Sequence, residues 1–246
     1  DLYRTAGRQI ITGQHTQTNP MEEITYIERI TGKRPKLQGF ELLAYSPNIN
    51  YENATPECLA EIEANKHTMD TALSWAAETD GIVIQLKRFQ DADIPILWRP
   101  FHESDGTWFW WGSKGPQVAA KLYQLMFHYY VDVCHLDHLL WVWNCRLTEG
   151  YPGDDYVDVI SVDIYLDNYT PTDYSREYHD LIEATTGNKV AALAEVGYLP
   201  DLSILEQSHI PWAYVMAWSK EFIIGEQYNK TDALHRFYNH PYAITL

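Results

Sequence analysis

Short apolar runs alternate with longer stretches of helical periodicity along most of the chain. Gln9–Gln14, Leu37–Tyr45, Gly81–Ile84, Ile94–Phe101, Leu139–Asn144, Val157–Tyr165, Val190–Val196 and Trp212–Trp218 read as β-strands. Several are apolar without a break, as strands covered on both faces are. The amphipathic stretches Met21–Thr31, Pro56–Glu78, Pro116–Cys134, Tyr174–Thr186, Leu202–Gln207 and Lys230–Tyr238 read as helices. Strands alternating with helices in this way predict an α/β protein of (β/α)8 TIM-barrel type, a fold that takes about 250 residues. The chain has 246. No Ser/Gly-rich linker, fixed-period repeat or block of like charge divides it, so residues 1–246 read as one barrel domain.

One interval breaks the pattern. Only Gln85–Asp93 separates the third expected strand from the fourth, whereas a crossover carrying a helix needs at least about 10–12 residues. Either the third strand is incomplete or a segment normal in such barrels is absent, leaving one βα unit near residues 81–93 unfinished.

Charge narrows the partners. Eighteen Lys+Arg against 34 Asp+Glu give a net charge of −16, which repels phosphates and argues against nucleic acid or an anionic membrane as a partner. No apolar run reaches the roughly 20 residues of a membrane span. Asp1-Leu2-Tyr3-Arg4 is not a signal peptide. Cys58, Cys134 and Cys145 are too few for a disulfide scaffold and lack CxxC spacing; Cys134 and Cys145 are one candidate pair, and the odd count leaves a thiol over. Asn53, Asn168 and Asn229 each begin an Asn-x-Thr triplet. The ten His are scattered without an HExxH motif or a Cys/His cluster, so no metal site is expected. His128, His135 and His138 read as a solvated face, and Asp154 and Asp155 as parts of a turn. There is no G-x-S-x-G elbow and no Gly-rich phosphate loop. Aromatic residues make up 14% of the chain, with nine Trp and 18 Tyr. They suit either a Trp-rich core or stacking platforms for flat, partly polar ligands such as sugars.

Two glutamates stand out. Trp98–Gly112 runs from a strand through Arg99, His102 and Glu103 into Trp108-Phe109-Trp110-Trp111, setting a carboxylic acid beside an aromatic cluster where barrel enzymes build their sites. Glu103 is either a catalytic acid or a salt-bridge partner for Arg99. Glu195 lies inside the apolar run Val190–Val196, where an ionised carboxylate must be paired or hydrogen-bonded; Arg99 and Tyr165 are candidates for that task. Two glutamates at strand ends suit a retaining glycosidase, whose carboxyls lie about 5–5.5 Å apart. Trp141 and Trp143 share one face of their strand, which makes at least one of them structural.

Trp98–Gly112, with Leu139–Asn144, Tyr151-Pro152-Gly153-Asp154, Ala194-Glu195-Val196-Gly197 and Met216-Ala217-Trp218-Ser219, resembles glycoside hydrolase family 26. The resemblance runs in order from about Ile10 to Tyr238. It implies a (β/α)8 barrel, retaining hydrolysis without cofactor or metal, and a β-mannan polysaccharide or oligosaccharide as substrate; β-glucanase and β-1,3-xylanase activities also occur in the family. By its motifs Glu103 matches the acid/base and Glu195 the nucleophile. His102 matches a substrate-binding histidine, Trp108 an aromatic bordering the cleavage point, Tyr165 a tyrosine near the nucleophile and Trp218 a sugar platform. Arg99 and His15 are further substrate-binding candidates, and Asp163 also ends a strand. Against the family, several tens of residues are absent at Val83–Gln85, including a histidine of the −1 subsite, so a non-catalytic mannan-binding barrel is the competing expectation. A monomer is expected, and secretion, because polymeric mannan lies outside cells.

Overall fold

The computed structural model describes residues 2–16, 21–40 and 82–246. Its strands are β1 (Ile10–His15), β2 (Leu37–Gly39), β3 (Ile96–Trp98), β4 (Leu139–Asn144), β5 (Val159–Ile164), β6 (Val190–Val196), β7 (Trp212–Ala217) and β8 (Ala243–Ile244). The helices are α1 (Leu2–Thr5), α2 (Glu22–Thr31), α3 (82–91), α4 (Pro116–His128), α5 (Ser175–Glu183), α6 (Leu202–Ser208) and α7 (Thr231–Tyr238). The expected helix Pro56–Glu78, the end of the expected strand Leu37–Tyr45, Cys58 and Asn53 lie outside the described residues. Among the described residues, no helix is long and apolar enough to cross a membrane.

The chain divides into two units, residues 1–41 with 159–246 and residues 42–158. In the first, β2, β1, β7, β6 and β5 lie side by side in that order, every pair parallel. The short β8 joins the N-terminal end of β1 at Ile10 and Ile11, while β2 uses its other end, Gly13 to His15. Every residue of β5, β6 and β7 is buried, Ser161, Asp163 and Glu195 included, which explains why these strands are mostly apolar. The helix ends follow ordinary chemistry. Gly32 takes a left-handed φ of 70° and its N–H bonds the carbonyl of Glu28 to close α2, and the Asp201 side chain accepts from the Ser203 N–H to open α6.

In the second unit β3 and β4 pair in parallel, Ile96 beside Leu139 and Trp98 beside Trp141. The helix α4 starts with Pro116 at its first turn and runs into a π-helical turn at Tyr129–Val133. Its aromatics lock onto β4: Tyr123 and Phe127 meet Trp141 at 5.5 and 5.0 Å between ring centres. The Asp158 carboxylate accepts from the Trp141 N–H at 2.7 Å. Trp143 donates its indole N–H to the Gly150 carbonyl at 2.9 Å. Both tryptophans of the strand are buried and structural. Cys134 and Cys145 are free and buried, so the candidate pair does not form; burial pushes the Cys145 thiol up to about 11. The Asp154–Tyr156 segment is a short 3-10 turn in which Tyr151 donates to Asp154 at 2.7 Å. His128 is exposed as expected, bonded to Asp132, whereas His138 is half-buried against Gln90.

Two expected strands are corrected. Of the expected strand Gly81–Ile84, the described part is no strand: residues 82–91 are helical, and Gly81 lies outside the described residues. Leu86 is 1% exposed and Val83 is buried with it, while Ile84 is 59% exposed, the spacing of a helix face. A four-residue apolar run does not distinguish a buried strand from a buried helix segment. The helix is unbroken across Val83–Gln85. The expected strand Ile94–Phe101 shrinks to Ile96–Trp98, because Pro95 and Pro100 on either side lack the N–H a ladder needs. His102 and Glu103 accordingly sit in a turn beyond the strand. The helical reading of 82–91 predicts that Leu86→Ala costs about 2–4 kcal/mol whereas Ile84→Ala changes stability by less than about 0.5 kcal/mol, measured by urea unfolding.

Candidate active site

The sequence-predicted residues fall into two groups, one in each unit. In the first unit β6 ends with Glu195-Val196, and Glu195 is only 3% exposed. Its neighbour across the β5–β6 ladder is Asp163, at a shift in register between Val162 and Asp163. Tyr165, the first residue past β5, donates its hydroxyl to Glu195 Oε2 at 2.7 Å, the bond a buried carboxylate requires. A hydrogen bond to the ionised form favours that form.

Trp218 follows β7 and is half-buried, with its N–H bonded to the Val196 carbonyl at 3.0 Å. Gln14, wholly buried in β1, donates from one amide nitrogen to the carbonyls of His15 and Trp218 at 2.8 and 2.9 Å. His15 ends β1 and places its Nε2 2.9 Å from the carbonyl of Ala194, the residue before Glu195. Its ring centre lies 5.2 Å from that of Trp218. A Cβ on Gly39 would meet His15 Nδ1 at 2.3 Å, so glycine there leaves room for the imidazole. His15 therefore buttresses Trp218 and, through Nε2, the β6 backbone.

In the second unit Arg99 follows β3, and the turn after it holds His102 and Glu103. Phe101 and Glu103 have φ of 54° and 50°, a left-handed conformation that costs a non-glycine residue about 1–2 kcal/mol. Two contacts hold the turn: the Glu103 N–H donates to Asn144 Oδ1 at 2.7 Å, and the Trp111 indole donates to the His102 carbonyl at 2.7 Å. The His102 ring packs 4.7 Å from Phe109 and 5.6 Å from Trp111. Phe109 and Trp111 are themselves stacked at 4.4 Å. Trp108 is 62% exposed and donates its indole N–H to Glu103 Oε2 at 2.7 Å. It lies over Gly106, where a Cβ would come within 2.1 Å of the indole.

Sequence reasoning assigned no role to three residues. Asn144, the polar end of an otherwise apolar strand, pins the Glu103 turn. Gln14 fixes two site backbones at once. Glu23, buried in the first turn of α2, accepts from the Lys220 N–H at 2.9 Å in the loop beyond Trp218. Only Asn144 carried a local signal, a polar residue closing an apolar run; Glu23 follows Glu22 and Gln14 lies between Gly13 and His15, where a polar residue does not stand out.

Known proteins resemble this chain along most of its length. A model of glycosyl hydrolase family 26 matches residues 50–246. A mannan endo-1,4-beta-mannosidase of Thermothelomyces thermophilus is 31% identical over 286 aligned positions, covering 98% of this chain and 58% of that protein. Since 98% of 246 residues is about 241, about 45 positions of that relative have no counterpart here. Mannan endo-1,4-beta-mannosidase A of a Piromyces species is 30% identical over 211 residues, 86% of this chain and 32% of its own length. The crystal structure of a β-(1,4)-mannanase from Podospora anserina superimposes with a TM-score of 0.84 at 29% identity, over 99% of this chain and 64% of that one. The chain thus spans less than two thirds of each of these relatives. Its fold class is the family's (β/α)8 barrel, here with a shortened chain. With a family model matched over most of its length and nearly a third of its residues identical to a family relative along almost all of it, the chain belongs to glycosyl hydrolase family 26.

Proposed function

We propose that the chain is a retaining endo-β-1,4-mannanase working by double displacement, with Glu195 as nucleophile and Glu103 as acid/base. The contrast between the two carboxylates carries this reading. Glu195 is buried at the end of a rigid strand and receives a tyrosine hydroxyl, which suits a group that must stay ionised. Glu103 sits in a turn with one oxygen under an exposed indole, a setting open to an incoming glycosidic oxygen. The mannan-directed relatives supply the substrate class.

In the first step Glu103 gives its proton to the leaving glycosidic oxygen as a Glu195 oxygen attacks the anomeric carbon. In the second, the ionised Glu103 takes a proton from water, and the resulting nucleophile releases the sugar from Glu195. The chemistry requires the two carboxyls to face one another across about 5–5.5 Å. Trp218 offers an indole face to a sugar ring, with His15 acting behind it as support. His102 and Arg99 flank the acid/base turn and are the polar contacts assigned to substrate.

Reducing-sugar release from galactomannan, with barley β-glucan and β-1,3-xylan alongside, tests the proposal. Release from galactomannan that falls by about 10³-fold or more in Glu195→Ala and by about 10²–10⁴-fold in Glu103→Gln is the expected result. Release from glucan or xylan alone would move the chain to another activity of its family. Binding of manno-oligosaccharide without turnover would make it a binding barrel, the reading favoured by its shortened chain. Gly106→Ala should displace Trp108 from Glu103, shifting one indole N–H resonance, identified by its loss in Trp108→Phe, and slowing hydrolysis about tenfold or more, since small misplacements at a reacting group are expensive.

A further inference from the structure

Asn229 begins one of the three Asn-x-Thr triplets, yet it is only 4% exposed and all of its amide is engaged. Its Nδ2 donates to the carbonyls of Gly197 and Phe222 at 2.8 and 2.7 Å, and its Oδ1 accepts from the Leu199 N–H at 2.9 Å. Gly197 and Leu199 belong to the segment leaving β6, just past Glu195, and Phe222 to the segment leaving β7, just past Trp218. One uncharged side chain thus sutures the segments that follow Glu195 and Trp218.

Phe222 transmits this suture toward the chemistry. Its ring is stacked on Tyr228 at 4.3 Å and meets the Tyr165 ring edge-on at 5.5 Å. A Cβ added to Gly197 would lie 3.1 Å from Phe222 and 3.2 Å from Tyr165, so the three residues are in close contact. Tyr165 then donates to Glu195 Oε2 at 2.7 Å. The path from the Asn229 amide to the Glu195 carboxylate is a carbonyl bond, an aromatic contact and a hydroxyl bond, all among described residues of one unit.

We infer that Asn229 is a positioning residue for the nucleophile, holding Phe222 against Tyr165 so that the Tyr165 hydroxyl stays on Glu195. Asparagine suits the position because two carbonyls need donors and one N–H needs an acceptor, which the amide supplies without charge. Aspartate has the same shape but would turn an oxygen toward a carbonyl and lose a donor. Alanine would leave two carbonyls and an N–H without their partner.

The inference rests on the reading of Glu195 as nucleophile, so its test has one arm that needs no turnover. With tyrosines labelled at 13Cζ, the Tyr165 line is identified by its loss in Tyr165→Phe and then compared in Asn229→Ala and Asn229→Asp, each first checked for wild-type circular dichroism at the working temperature. A displaced Tyr165 line is expected in both variants. On galactomannan both should lose kcat by about tenfold or more with KM changed less than about threefold, and the acid limb of kcat/KM should move to higher pH. The sign follows from the chemistry: the Tyr165 bond favours the ionised carboxylate, so weakening it makes the nucleophile easier to protonate. Tyr165→Phe should move the limb the same way, and the Asn229→Ala/Tyr165→Phe double variant should move it no further, because the two changes remove one bond. A Tyr165 line unmoved in both variants would overturn the inference. So would wild-type kcat and acid limb in both, or shifts that add in the double variant. If the wild-type chain cleaves none of the glycans, the function reading fails and the Tyr165 line alone decides: displaced, it upholds the suture; unmoved, it sinks it.

Discussion

An acidic side chain at the end of a strand with every residue buried has to be satisfied, and much of the first unit is arranged around that need. Removing the Glu195 carboxylate from water costs on the order of several kcal/mol unless donors replace the lost solvent. A donor is only useful if its own position is set, because a long aromatic side chain otherwise swings between rotamers. Tyr165 stands one residue past a strand, where the backbone is still held by the β5–β6 ladder, and its ring is backed by Phe222, itself stacked on Tyr228. Gly197 is glycine because its neighbours' rings occupy the space a side chain would need. The polar bonds of Asn229 then close the assembly from behind.

The second carboxylate is placed by the opposite strategy. Glu103 lies in a turn with left-handed backbone at Phe101 and at Glu103 itself, and strain of this kind persists only where the surroundings over-determine it. Pro100 ends the strand and Asn144 on β4 captures the Glu103 N–H, while the indoles of Trp108 and Trp111 bond the Glu103 carboxylate and the His102 carbonyl. A strand end gives rigidity and burial; a strained turn gives a half-buried side chain with a defined direction. Those match the different needs of the nucleophile and of the acid/base that we propose.

The aromatic residues divide between buried and solvent-facing positions. Trp141, Trp143 and Trp212 are core, the last donating its indole N–H to the Asp173 carbonyl at 3.1 Å. Trp108 is open to solvent and Trp218 partly so, each beside a glutamate-bearing segment. The run Trp108–Trp111 contains both kinds, since Phe109 and Trp111 stack on each other and hold His102 while Trp108 faces out. Neighbours in sequence are thus not equivalent in function.

Mostly apolar runs made β4, β5, β6 and β7 legible from the sequence alone, since a strand buried along nearly all its length has few polar positions. The same logic exposed Glu195 as a carboxylate that needed a partner. The motifs around Glu103, Trp108 and Trp218 carried the family. Where an apolar run was short, at residues 81–84, period could not separate strand from helix, and only packing of Val83 and Leu86 decided for helix. The partners of the site were invisible for a different reason. Asn229 lies 34 residues after Glu195, and Asn144 lies 41 after Glu103; nothing in local pattern links such pairs. That Tyr165 offers its hydroxyl to Glu195, that His15 packs against Trp218, and that the Asn229 triplet is buried and hydrogen-bonded were visible only in the tertiary structure. Hydrophobic periodicity encodes which side of an element is covered, whereas a hydrogen bond depends on distances of a few tenths of an ångström that only the folded chain defines.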